Sequence, residues 1–299
     1  MITSTLRSAF LIRSLVLGLL LSALGMQLRA QVLFVNDNDN ITYNTDTILN
    51  DLSVAGIAYD VFDIQLAGSN PTFADFEPNE LVVWYASTDG VGLGFWDESV
   101  QAALSLYVDG GGSLWIIGQD LLYAVYTTPA SFEEGDFAYD FMGLGSYDVQ
   151  SYADDGGLGV PMMQLDPAFT GEFPATLAWQ FSTLWYADGC SLREEARAIY
   201  TMGPEEYPLA GTISMMDHAV GDARVMSTLF DPALIDSFGA RVEFLAQSVG
   251  SLMNSPTGIH EVGAPSLRFS SNPATDRVEV LCTSGVLALE VRSIDGALV

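Results

Sequence analysis

Apolar residues in the first half of the chain form short continuous runs, and between these runs they recur at helical spacing. Short apolar runs bounded by polar turns are typical of strands that are buried on both faces of a parallel sheet. The predicted strands are Val32–Val35, Tyr59–Ile64, Leu81–Ala86 and Ser113–Ile117. Helices are predicted between them, over Asp46–Ala55 and over the segment that Asp97 caps and Gly110 ends. This alternation predicts right-handed crossovers and a parallel α/β sheet.

The pattern weakens between residues 127 and 210, where Gly, Asp, Pro and aromatic residues are scattered. We interpret this stretch as an irregular insertion with short strands and not as a second domain. Strands are predicted again near Thr212–Met216 and over Arg224–Phe230, and a long helix is predicted to begin at Asp231-Pro232. The fold class is therefore α/β, with an open, mostly parallel sheet flanked by helices over residues 31–253 and a linker over 254–264.

The first 30 residues have the pattern of a secretory signal peptide. They contain no acidic residue, and Arg7 and Arg13 precede the apolar run Leu15–Leu24. That run of ten residues is too short for a membrane-spanning helix, which needs roughly 20. We predict a secreted protein without a transmembrane span, cleaved between Ala30 and Gln31.

The chain is strongly acidic, with 10 basic and 38 acidic residues and a net charge of −28. Nucleic acids and anionic membrane surfaces repel such a polyanion, so neither is an expected partner. Apolar residues make up 49% of the chain, which predicts a folded domain with a large core. The two cysteines, Cys190 and Cys282, are too few for a disulfide scaffold.

Two short motifs near the C-terminus resemble part of an export tag. They are Ser271-Asn272-Pro273-Ala274-Thr275-Asp276-Arg277 and Val291-Arg292-Ser293-Ile294-Asp295-Gly296. The pattern over residues 265–299 resembles the opening half of a type IX secretion (Por) type A C-terminal sorting domain, a small β-sandwich of exported Bacteroidetes proteins. The sorting-motif residues are Asn272, Pro273, Asp276, Asp295 and Gly296. The resemblance implies the type IX secretion machinery as a partner and a route through the periplasm to the outer cell surface or the medium. Because the sequence stops at Val299, before the further strands of such a domain, we expect a truncated tail.

Three segments of the main domain are similar to another family. They are Val32–Asn40, Leu81–Thr88 with its following helix, and Gly110–Asp120. Over roughly residues 31–253 they resemble a divergent class I glutamine-amidotransferase-like fold of exported bacterial proteins, which has a flavodoxin-like sheet. The catalytic members carry a nucleophile elbow, Gly-x-Cys-x-Gly, and a His-x-Glu pair. Here Asp120 stands at the nucleophile position. Neither His218 nor His260 has a Glu two residues later, so the His-x-Glu pair is absent. Amidotransferase chemistry is therefore not expected.

Polar residues follow three predicted strands, at the sheet edge where open α/β sheets bind ligands. These candidate crevice residues are Asp37, Asp39, Thr88, Asp89, Gln119 and Asp120. Carboxylate oxygens suit Ca²⁺, which makes Asp37 and Asp39 candidate calcium ligands. The alternative is that the acidic and amide side chains of this loop serve turns and helix capping. No other cofactor is expected.

Two candidate arrangements for catalysis remain open. Asp120 is a weak candidate acid or nucleophile, paired with Asp37 or Asp89, and its alternative role is to cap a helix after the strand. Cys190 and His218 have the residue types of a thiol dyad, although Cys190 is predicted to be a small buried residue in a loop.

The five tryptophans raise the alternative of a carbohydrate-stacking surface. Trp84 and Trp115 lie in apolar runs and are assigned to the core. Trp96, Trp179 and Trp185 lie nearer loops, and we expect the insertion to cover them partly. Taken together, the sequence predicts an exported, non-catalytic binding or surface-assembly module. An extracellular hydrolase that uses crevice carboxylates is the main alternative, and an accessory domain of a secreted peptidase system is another.

Overall fold

A computed structural model describes residues 31–38, 42–86, 93–126 and 129–253, together with two short strand segments at 268–269 and 280–281. The predicted signal peptide and nearly all of the predicted sorting tail lie outside the described residues. No described helix is both long and apolar enough to cross a membrane.

The described chain contains fourteen strands and six helices. The strands are β1 Val32–Asp37, β2 Tyr59–Asp63, β3 Leu81–Ala86, β4 Ser113–Ile117, β5 Ala130–Ser131, β6 Leu144–Gln150, β7 Met162–Leu165, β8 Thr176–Leu177, β9 Asp188–Leu192, β10 Arg197–Gly203, β11 Ile213–Val220, β12 Ala223–Thr228, β13 Arg268–Phe269 and β14 Val280–Leu281. The helices are α1 Thr42–Val54, α2 Ile64–Ala67, α3 Phe73–Phe76, α4 Glu98–Asp109, α5 Phe137–Asp140 and α6 Phe238–Met253. Two 3₁₀ turns lie at Leu93–Trp96 and Pro232–Leu234.

The first twelve strands form one mixed sheet, which confirms the α/β class. Its first half is parallel, in the order β2-β1-β3-β4-β12. From β12 the sheet continues through β11, β10, β7 and β8, while β9 pairs with β11 and with β6, and β5 pairs with β6. All of these later pairs are antiparallel, so the prediction of a mostly parallel sheet is wrong for the second half. The insertion strands join the main sheet, and β13 and β14 form a separate antiparallel pair.

Two hydrophobic cores cover the two faces of the sheet. Residues along β3 alternate between them: Leu81, Val83 and Tyr85 face one core, and the residues between them face the other. Helices α1 and α6 pack on the first face, and α4 packs on the second. Strands buried on both faces are mostly apolar, and this pattern gave β3 and β4 their observed bounds, with Ser113 at the start of β4 as the buried polar exception.

Two helix boundaries differ from the prediction. Helix α1 begins at Thr42, before the predicted Asp46, and it buries the polar residues Asn44 and Asp51. The helix predicted from Asp231 is divided, because Ile235 adopts an extended conformation and forms a bridge with Trp179. The antiparallel contact with the insertion thus replaces one turn of helix.

Candidate ligand-binding site

A cavity of about 370 Å³ lies beyond the carboxyl end of β4. The described residues that line it are Gln119, Phe181, Ser182, Thr183, Leu184, Trp185, Tyr186 and Leu234. Gln119 follows β4, Leu234 ends the second 3₁₀ turn, and the other six belong to the insertion between β8 and β9. The volume lies within the range of small-molecule sites, about 300–1,000 Å³.

A sharp turn after β4 places Gln119 at this cavity. The Gly118 amide donates to the Thr228 carbonyl at 3.0 Å, which extends the pairing with β12. A Cβ atom on Gly118 would lie only 3.0 Å from Leu121 Cβ and 3.2 Å from Ala86 Cβ, so the close approach of the chain favours glycine here. Asp120 then adopts a left-handed conformation with φ of 61°.

Hydrogen bonds hold the insertion segment against this turn. The Asp120 amide donates to the Tyr186 carbonyl at 2.9 Å, and the Tyr186 amide donates to the Ser151 carbonyl at 3.2 Å. Leu184 and Val160 exchange two backbone hydrogen bonds, each of 2.8 Å. The cavity wall is therefore fixed at three points of the main chain.

The Gln119 side chain is the polar group that stands out at this site. Its residue is only 6% exposed, and its amide oxygen Oε1 has no hydrogen-bond partner among the described residues. A buried acceptor left without a donor costs about 1–3 kcal/mol. Because this oxygen has almost no accessible surface, a ligand in the cavity can pair with it only if the Gln119 side chain moves.

Two carboxyl groups, Asp120 and Asp188, lie next to the cavity wall and are bridged by one amide. Gln150 Nε2 donates to Asp120 Oδ1 and lies 3.4 Å from Asp188 Oδ1. Asp188 is fully buried, and its Oδ2 accepts from the Leu122 amide at 2.7 Å. Burial raises the pKa of Asp188 to about 8; the Leu122 amide lowers it and the charge of Asp120 raises it. Burial therefore favours the protonated form of Asp188.

A third carboxyl group, Asp231, fixes the turn that carries Leu234. Its Oδ2 accepts from Asn44 Nδ2 at 2.7 Å and from the Tyr85 hydroxyl at 3.0 Å, and its Oδ1 accepts from the Ala233 amide at 2.9 Å. Burial raises the pKa of Asp231 to about 6, although all three donors lower it. Because the donors come from α1, β3 and the turn, Asp231 joins three elements at the carboxyl end of the sheet.

The predicted crevice residues separate in the structure. Gln119 and Asp120 lie at the site, whereas Asp39, Thr88 and Asp89 lie outside the described residues. Asp37 is buried, and its Oδ2 accepts from Trp84 Nε1 at 3.1 Å and from the Phe95 amide at 3.0 Å. Within the described ranges, no group of three or more His, Cys, Asp or Glu residues is arranged to hold a metal ion.

The predicted capping role of Asp120 is wrong. Residues 119–125 form turns and not a regular helix, and the Asp120 carboxylate accepts from Gln150. The Asp188 carboxylate instead takes the Leu122 amide, one of the donors that a cap at Asp120 would serve.

Cys190 and His218 have separate backbone partners. The Cys190 thiol lies 3.4 Å from the Ile213 carbonyl, and His218 Nδ1 lies 3.1 Å from the Phe141 carbonyl. Burial raises the pKa of the Cys190 thiol, which opposes thiolate formation. Cys190 is buried as predicted, but it lies in strand β9 and not in a loop.

Sequence reasoning missed most of the aromatic residues at the site. Trp84 and Trp115 are core residues as predicted, and Trp179 is also buried. Trp185, by contrast, is 46% exposed and stands beside Tyr152, with ring centroids 4.6 Å apart. The clustering of Trp185, Tyr186 and Asp188 within four residues was the available signal, but without periodicity it did not indicate which side chains were exposed.

Among known proteins, the similarities found for this chain are to solved structures. No protein-family model matches the chain, and no curated protein matches it. A cytoplasmic protein from Salmonella typhimurium is similar at 11% identity with a TM-score of 0.49, over 74% of this chain and 98% of that one. A β-galactosidase from Bacillus circulans sp. alkalophilus is similar at 11% identity with a TM-score of 0.46, over 74% of this chain and 30% of the enzyme. Likenesses at this level of identity and TM-score do not indicate a function for this chain.

Proposed function

We propose that the protein is an exported, non-catalytic module that binds a small uncharged ligand in the cavity beyond β4. The lining of the cavity carries this proposal, because the described lining is largely aromatic and apolar and its polar residues are Gln119, Ser182 and Thr183. Cavities with an apolar lining and a few placed polar groups are typical ligand sites. The net charge of −28 disfavours an anionic ligand.

A hydrolase is the second candidate, and one observation favours it. Asp120 occupies the position of the elbow nucleophile, and its φ of 61° resembles the strained backbone found at functional turns. However, Asp120 is not among the described residues that line the cavity, and its carboxylate is hydrogen-bonded to Gln150. Asp188, the protonated partner, is fully buried and cannot reach a substrate in this conformation. Binding is therefore the function that the geometry supports best.

Blocking the cavity is expected to abolish binding of neutral small molecules. Ser182 is exposed and lines the cavity, so Ser182→Trp fills the space with little effect on the core. Ser69→Trp, at an exposed turn elsewhere, is the matched control. Saturation-transfer NMR with phenols, primary amides and simple glycosides should detect binding to the wild type and to Ser69→Trp but not to Ser182→Trp. Absence of binding, or binding that Ser182→Trp leaves unchanged, would contradict the proposal.

Export rests on the N-terminal pattern and the sorting motif, both outside the described residues. We expect a reporter fused behind residues 1–30 to be exported and processed at Ala30, because the apolar run is flanked as signal peptidase substrates are. Fusion of residues 264–299 to a periplasmic reporter in a host with type IX secretion tests the second step, which is transport from the periplasm to the outer cell surface or the medium. Retention of the first fusion in the cytoplasm would overturn the export assignment, and failure of the second alone would show that the partial tail is insufficient.

A further inference from the structure

We infer that the ligand of this cavity is a neutral sugar ring of a polysaccharide or glycan, stacked on Trp185 and held at its edge by the polar residues of the lining. This inference rests on the proposed binding function and names its ligand class. Three independent features of the described residues support it: an exposed aromatic surface at the cavity, the rigidity of its backbone, and the chemistry of the polar groups beside it.

The aromatic surface consists of Tyr152, Phe181, Trp185 and Tyr186. Their exposed fractions are 37%, 64%, 46% and 36%, respectively. The ring centroid of Tyr152 lies 4.6 Å from that of Trp185 and 5.4 Å from that of Tyr186, so these three rings form one cluster. Three of the four, all but Tyr152, also line the cavity. Exposed aromatic clusters of this kind mark binding surfaces, because water solvates the ring faces poorly.

The backbone under these rings is strained and tightly held. In the part of the chain that the structure describes, the non-glycine residues with positive φ are Asp120, Tyr152 and Tyr186, at 61°, 74° and 63°. They form a single group, because Tyr186 bonds through its carbonyl to Asp120 and through its amide to Ser151. Each such conformation costs on the order of 1 kcal/mol or more and is concentrated at functional sites. The hydrogen bonds that hold these strained residues also keep the surface rigid. A rigid surface loses little conformational entropy when a ligand binds, which favours recognition.

The polar groups distinguish a sugar from other ligands. A purely apolar or aromatic hydrocarbon would offer no hydrogen-bonding group to Gln119, Ser182 or Thr183, the polar residues of the described lining. An acidic sugar or a phosphate would be repelled by the charge of the chain and by Asp120 in particular. A neutral sugar ring presents C–H groups on its faces, which pack on an aromatic ring, and hydroxyl groups around its edge, which both donate and accept hydrogen bonds and so match the polar residues of the lining.

An extended peptide is a poorer match. Peptides that add to a sheet need unpaired backbone groups along an edge. At this surface the amide and carbonyl of Leu184 both pair with Val160, and those of Tyr186 pair with Ser151 and Asp120. Side-chain contacts would then have to supply all of the affinity.

Calorimetry with neutral hexasaccharides tests the inference. Cellohexaose, xylohexaose, laminarihexaose and mannohexaose are titrated into the purified protein, with hexagalacturonate as the acidic comparison. We expect at least one neutral sugar to bind with a Kd of about 1 mM or tighter, and hexagalacturonate to bind at least about tenfold more weakly. Trp185→Ala and Gln119→Leu should each weaken binding by about tenfold or more, whereas Tyr43→Ala, at an exposed aromatic on α1, should not.

The outcomes separate this inference from the proposed function. Trp185 is exposed, so its substitution should leave the melting temperature unchanged even if the buried Gln119→Leu variant is destabilised. If neutral fragments bind in a manner sensitive to Ser182→Trp but none of the hexasaccharides binds, the sugar is excluded and the binding function stands. Sugar binding that Trp185→Ala leaves unchanged would also overturn the inference. If neither fragments nor sugars bind, both the inference and the proposed function fail.

Discussion

Replacing Asp188 by Asn is expected to abolish much of the loss of stability that the wild-type protein undergoes between pH 4 and pH 8. Burial raises the pKa of Asp188 from its ordinary value of 3.8 to about 8, so the native state holds a proton that the unfolded chain releases. The contribution of a group with a raised pKa is fully present below pH 3.8 and is lost as the pH rises towards 8. The slope is about 1.4 kcal/mol per pH unit, so over the range from 3.8 to about 8 the total is on the order of 6 kcal/mol.

An amide at position 188 cannot ionise, so the difference between variant and wild type isolates this effect. Its oxygen can still accept from the Leu122 amide, which preserves the turn after β4. Urea unfolding from pH 4 to pH 9 should show the variant gaining stability over the wild type up to about pH 8 and then a constant difference. Asp222→Asn, in the exposed β11–β12 turn, is the matched control and should give a flat difference. A flat difference for Asp188→Asn as well would show that Asp188 is ionised in the native protein.

Replacing Asp231 by Ala is expected to lower the free energy of unfolding by about 3–5 kcal/mol at pH 7. The substitution leaves two buried donors, Asn44 Nδ2 and the Tyr85 hydroxyl, without their acceptor, and it removes the cap on the Ala233 amide. Each buried unpaired donor costs about 1–3 kcal/mol, and the lost cap adds about 1 kcal/mol.

Chemical denaturation of Asp231→Ala and of Asp236→Ala measures this effect. Asp236 is exposed five residues further along, so its substitution removes the same charge but should change stability by less than about 0.5 kcal/mol. Equal losses in the two variants would show that the network around Asp231 contributes nothing. Because Asp231 also holds the turn that carries Leu234, loss of neutral-fragment binding should accompany its substitution.

The carboxyl pair holds the turn after β4, whereas the cavity is the proposed binding site. Asp120 and Asp188 share one amide of Gln150 and hold the turn after β4, while Gln119, one residue before Asp120, lies at the cavity. Ionisation of Asp188 above pH 8 would place two negative charges at this turn.

The pattern of apolar and capping residues was enough to predict the strands and helices of the parallel half of the fold. Strands β3 and β4 have their predicted bounds, and Asp97 caps α4 as its position indicated. These features follow from local rules: a strand covered on both faces is apolar throughout, and a cap is a contact between residues two or three positions apart. The sequence also indicated Gln119 and Asp120, because strand ends in such sheets carry the site.

Contacts between distant parts of the chain complete the site, and the residue pattern did not predict them. Gln150 meets Asp120 across 30 positions of the chain, and Asp188 meets Leu122 across 66. Both partners come from the insertion, whose irregular pattern did not predict that its strands would extend the main sheet. The exposure of Trp185 also depends on the tertiary structure, because an aromatic residue in a loop is buried only if another part of the chain packs over it. A hydrophobic pattern encodes which face of an element is buried, whereas contacts between distant loops depend on how the whole sheet brings them together.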